Sequence, residues 1–102
     1  MHHKTLVHSF LSAYSMLIDE QRKIFKPITR YWINTSNKKY YQGSITYDLF
    51  DLILLKVWGR QGESLGRIQS IPINSIDHGL QLIEQIAKRR EKRGYIESAT
   101  NM

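Results

Sequence analysis

Apolar positions near the start of the chain recur at spacings of three and four: Leu6, Phe10, Ala13 or Tyr14, and Leu17, with Val7, Leu11 and Ile18 widening the stripe. This period predicts an amphipathic helix of about five turns, ending near Arg22 or Lys23. Pro27 punctuates its exit. The period then falls to two. Residues 28–34 are rich in β-branched and aromatic side chains and read as a strand, followed by the polar turn Thr35-Ser36-Asn37-Lys38. From Tyr40 to Leu49, Tyr41, Ile45, Tyr47 and Leu49 alternate with Gln42, Ser44, Thr46 and Asp48, the pattern of a half-buried strand. Gly43 inside that run marks a bulge or a close backbone approach. Residues 52–58 are apolar on both faces apart from Lys56, as expected of a central strand covered above and below.

Gln61–Gly66 carries two glycines and reads as a turn, and residues 67–73 alternate once more. Asn74 or Ser75 can cap a second helix, with Asp77 in its first turn, where a negative charge suits the helix dipole. Ile76, Leu80, Ile83 and Ala87 mark its expected buried face. Gly94 stops it, with Tyr95 placed to fold back in a Schellman contact. The order helix, about four antiparallel strands, helix gives an α+β class. The division expected is an N-terminal extension over 1–27, a domain over 28–97 and a tail over 98–102, with the chain already reading as loose from Glu97.

Size and charge narrow the function. The chain has 102 residues, enough for one hydrophobic core. Its net charge of +6 and pI near 9.7 favour an anionic partner, nucleic acid ahead of a membrane surface. With no cysteine there is neither a disulfide framework nor a thiolate zinc site, which fits a reducing cytoplasm. His8, Ser9, Ser12 and Ser15 interrupt the first apolar run, so it is neither a signal peptide nor a membrane span.

The chemistry concentrates at Trp58-Gly59-Arg60, where a strand runs into the Gly-rich turn. A flat aromatic face for a sugar or base and a donor fork for phosphate suit a phosphate-bearing polymer. Each residue also has a plain alternative: Trp58 can close the core, and Arg60 can pair with Asp48, Asp51 or Glu63. Arg67 raises the same choice. Lys88, Arg89, Lys92 and Arg93 form two cationic rows on the last helical turns, where dipole matching alone accounts for about 0.3–1 kcal/mol each. Glu84 stands four residues before Lys88, the spacing of a helical ion pair. Tyr31, Trp32, Tyr40, Tyr41, Tyr47 and Tyr95 interleave with Arg30, Lys38 and Lys39; most must build the core, and Tyr40 and Tyr95 are the candidates for stacking. His2, His3, His8 and His78 have no metal-ligand spacing, and no nucleophile elbow or P-loop appears, so no enzyme, metal or cofactor is expected.

These landmarks occur in an order that resembles the WGR domain family: Arg30-Tyr31-Trp32, the polar turn, Lys39-Tyr40-Tyr41, Trp58-Gly59-Arg60, Gly62, Gly66-Arg67, the helix opening Ser75-Ile76-Asp77, and Lys92-Arg93-Gly94-Tyr95, which is similar to the ending of bacterial members. The resemblance implies a small antiparallel sheet with a helix packed across it. In DNA-dependent poly(ADP-ribose) polymerases this module bears on a strand break, Trp against a sugar and Arg against the backbone. No transferase domain accompanies it here, so polymerase activity is not expected. Gln61 replaces the usual aliphatic, and Glu63 sets an acid beside the phosphate surface. The resemblance implies sugar-phosphate and strand-end contacts without base specificity, to DNA ahead of RNA. The expected contacts are Trp58, Gly59, Arg60, Arg67, Tyr40, Lys39, Lys88, Arg89, Lys92, Arg93 and Tyr95. A protein-interaction module is the alternative, and the first helix can either cover its own sheet or pair with a second copy.

Overall fold

The computed structural model describes residues 26–99. Five strands, β1 (Ile28–Asn34), β2 (Lys39–Asp48), β3 (Asp51–Arg60), β4 (Arg67–Pro72) and β5 (Ile96–Ser98), form one antiparallel sheet in the order β4-β3-β2-β1-β5. One helix, α1 (Ile76–Lys92), follows β4 and packs across the sheet. The α+β class and the four predicted strands stand. The predicted N-terminal helix, and the homodimer contact assigned to it, lie outside the described residues.

Alternation sets the two faces. Trp32, Ile45 and Leu54 point to the helix and join Ile73, Ile83 and Ile86 in the core. Gly43 is the close approach rather than the bulge: pairing on both of its sides is unbroken, and Trp32, Ile83 and Ile86 pack over it. The helix is rotated relative to the sequence reading. Gly79, Ile83, Ile86 and Arg90 are its buried residues, while Ile76 and Leu80 are each 38% exposed. The cause is Gly79. A Cβ there would lie 2.7 Å from Ile73 Cδ1 and 2.9 Å from Ile45 Cδ1, so a bare backbone is what lets the helix settle on the sheet.

Both helix ends are closed by their own residues. The Ser75 hydroxyl accepts from the His78 N–H at 3.0 Å, and His78 Nδ1 accepts in return from the Asn74 N–H at 3.2 Å. At the other end Tyr95 N–H donates to Arg90 O and Gly94 N–H to Glu91 O, with Gly94 at φ 84°, the bond pair of a Schellman motif. That reversal carries the chain into a fifth strand. The expected tail from Glu97 is therefore corrected: Glu97 and Ser98 pair with Trp32 and Tyr31 of β1.

An ion cluster fixes this strand. Arg30 donates through Nε and Nη2 to the two carboxylate oxygens of Glu97, at 2.9 and 2.6 Å, and through Nη1 to Glu84 at 2.6 Å. Glu84 thus serves Arg30 rather than Lys88. The hydrogen bonds from Arg30 hold the Glu97 carboxyl below its ordinary value of 4.5. A carboxyl with a depressed pKa stabilises the fold above its ordinary value, and the gain is lost as pH falls through the depressed one. Glu97→Gln is expected to cost about 0.2–1 kcal/mol at neutral pH, since the pair is partly exposed. Urea unfolding at a series of pH values should show the difference vanish on acidification below 4.5.

Candidate nucleic-acid interface

Continuous register lays one row of side chains across the helix-bearing face. From β5 to β4, Glu97, Trp32, Tyr41, Trp58 and Arg67 stand opposite one another, and opposite residues share a face. Trp32 is buried at 3% exposure and meets Tyr41 edge-on, centroids 6.3 Å apart at 66°. Tyr41 and Trp58 stack at 5.9 Å and 14°. Trp58 is half-buried, so the row runs from the core at Trp32 to an accessible indole. Two residues on, Lys39 stands opposite Arg60 on the same face. Arg60 and Arg67 are exposed. Arg60 has no ion pair among the described residues, and Asp51 begins the strand that Arg60 ends.

Gly59 alternates to the other face. A Cβ on it would meet Tyr40 Oη at 2.9 Å and Gly66 Cα at 3.1 Å; one on Gly66 would meet Tyr40 Oη at 2.5 Å and the Trp58 carbonyl at 2.9 Å. Two side-chain-free backbones are pressed together under Tyr40. This contact ties the loop after β3 against Trp58 and Arg60, so close packing is a sufficient reason for the glycine.

The end of α1 closes the other side. Arg90, 9% exposed, puts its guanidinium 4.4 Å from the Tyr41 ring centre and 5.1 Å from that of Tyr95. Its Nε is buried with no hydrogen-bond partner. Burial raises the Tyr41 phenol above its ordinary range against the pull of Arg90 and Arg89. Between the helix end and strands β2 to β4 lies an open hollow of about 670 Å³. Its lining holds five cations, Lys39, Arg60, Arg67, Arg90 and Arg93, against the single acid Glu63.

Of the residues expected from sequence, Lys39, Tyr40, Trp58, Gly59, Arg60, Arg67, Arg93 and Tyr95 line this hollow. Lys88 and Lys92 are exposed on the helix away from its lining, and Arg89 lines a smaller hollow with Lys56. Sequence reasoning missed Arg90, Tyr41 and Gln69. The signal for Arg90 was its place four after Ile86 and seven after Ile83, a cation on the apolar stripe. Among the described residues no group of three His, Asp or Glu side chains is placed to hold a metal.

The model of the WGR domain family matches residues 14–102, nearly the whole chain. The chain belongs to the WGR domain family. The match begins at residue 14, inside the stretch read as a separate extension. No curated protein and no solved structure matches it. Membership is consistent with a nucleic-acid-binding module, and no described helix of this WGR domain is long and apolar enough to cross a membrane. Its tripeptide divides its work between two faces: Trp58 and Arg60 point to the hollow, and Gly59 seats the loop.

Gly66→Ala tests that seating. The methyl group must displace a backbone carbonyl, an overpacking that costs about 1–3 kcal/mol. Thermal unfolding should fall by about 4–8 °C for each kcal/mol lost. An unchanged midpoint would refute the Gly59–Gly66 contact.

Proposed function

We propose that this WGR domain binds nucleic acid, preferably DNA, through sugar and phosphate contacts at strand ends, nicks or other exposed termini. Trp58 packs on a terminal sugar or base, Arg60 and Arg67 fork onto phosphates, and Lys39 and Arg93 add attraction from the rim. Lys88 and Lys92 act at longer range. The reading is supported by one observation above the rest: an accessible indole and five cations share one hollow that contains a single acid. Base specificity is not part of the proposal, because the lining reads charge and ring faces rather than base edges.

A protein partner is the second reading. Leu65 and Ile68, at 85% and 70% exposure, lie in the loop before β4 and on that outer strand. A partner there would leave the hollow free.

Titrating labelled blunt, nicked and single-stranded DNA at several salt concentrations decides. Each duplex phosphate engaged contributes a slope of about −0.9 in log K against log salt, so three to five contacts give about −3 to −4.5. Trp58→Ala should weaken binding by about tenfold, the scale of one lost stacking contact. Arg60→Gln should remove about one unit of slope. Affinity indifferent to salt and to Trp58→Ala would overturn the proposal.

A further inference from the structure

A second, smaller hollow of about 110 Å³ is lined by residues of α1, β3 and β4. Leu54, Ile71, Leu82 and Ile86 form its apolar floor and walls, and Lys56, Gln85 and Arg89 give it polar groups. Lys56 stands two residues before Trp58 on the same face of β3, about 7 Å along the strand. Arg90 lines the first hollow, and its charge, with that of Arg89, reaches Lys56.

The charges here are unusual. Lys56 is half-buried, and its ammonium is pushed below the ordinary lysine range by burial first and then by Arg89 and Arg90. Among the described residues no carboxylate acts on it in return. The buried Nε of Arg90 has no hydrogen-bond partner among them. A partly desolvated cluster of one sign is costly unless a counter-charge joins it. Neither helix-dipole matching nor packing explains Lys56, which stands on a strand whose neighbours on that face are Leu54 and Trp58.

We propose that Lys56, Gln85 and Arg89 form a second phosphate subsite, which takes the next phosphate of a strand whose terminal nucleotide rests against Trp58. It rests on the nucleic-acid reading above and gives that reading a direction. The bound strand runs from the Trp58 hollow along the groove between β3 and the helix, toward Ile71 and Leu82. Lys56 and Arg89 share the phosphate charge, with the field of Arg90 behind them, and Gln85 supplies a neutral donor. Apolar walls keep water from competing for it.

A length series on the full chain tests the subsite. The probes are a deoxynucleoside monophosphate, which fills only the Trp58 hollow, and a hexanucleotide, which spans both. Lys56→Gln is expected to weaken the hexanucleotide about five- to tenfold, to reduce the salt slope by about 0.7, the value for one single-strand phosphate, and to leave the monophosphate unchanged. Lys56→Arg should restore binding. Lys26→Gln removes an exposed charge before β1 and should change either affinity less than twofold. Equal effects of Lys56→Gln and Lys26→Gln, or equal losses for both probes, would overturn the subsite while leaving the Trp58 reading intact. Failure of the wild-type chain to bind either probe would instead overturn the nucleic-acid reading, and the subsite with it. NMR of the wild-type chain gives a readout that needs no variant: the hexanucleotide must shift the Lys56 and Arg89 amides, and stationary amides in a saturated complex would overturn the proposal.

Discussion

The arrangement depends on a guanidinium buried with no counter-charge among the described residues. Taking an ion out of water costs several kcal/mol even after the protein relaxes. Arg90 recovers part of this from the two tyrosine rings beside it, about 0.5–2 kcal/mol for each cation–π contact. The contrast with Arg30 is instructive. Arg30 also lies over an aromatic ring, that of Trp32, but it is matched by Glu97 and Glu84 and serves the fold. Arg90 has the ring contacts without the acids. Its positive field is left to the hollow that it lines.

Backbone contacts bring that charge into place. Gly79 lets the helix settle on the sheet, and the Schellman reversal at Gly94 swings Tyr95 beside Arg90 before the chain pairs with β1. Gly59 and Gly66 draw the loop in from the other side. Unbroken register carries the aromatic row from the buried Trp32 to the half-buried Trp58. An indole held by packed neighbours would lose little freedom in the contact proposed for it.

Much of this was legible in the residues. Alternation gave β2 and β4, β-branched and aromatic richness gave β1, and a continuous apolar run gave β3, each within a residue or two, while Ser75 and Gly94 marked the helix ends. Trp58, Arg60, Lys39 and Tyr95 were legible because their chemistry is conspicuous. What escaped depends on contacts distant in sequence. The fifth strand has three residues, too few for a period, and exists because β1 offers an edge and Arg30 a partner for Glu97. The rotation of the helix was hidden because Gly79 does not look like a core residue. Arg90 was passed over among five neighbouring charges, since burial of a cation is decided by the rings above it and not by its own type.

The central claim is that the indole of Trp58 meets the bound strand while that of Trp32 does not. The chain holds two tryptophans, so 5-fluorotryptophan labelling gives two fluorine resonances on the intact protein. Titration with single-stranded DNA should move the Trp58 resonance in a saturable, salt-reversible way and leave that of buried Trp32 in place. Saturable binding with a stationary Trp58 resonance would contradict the account.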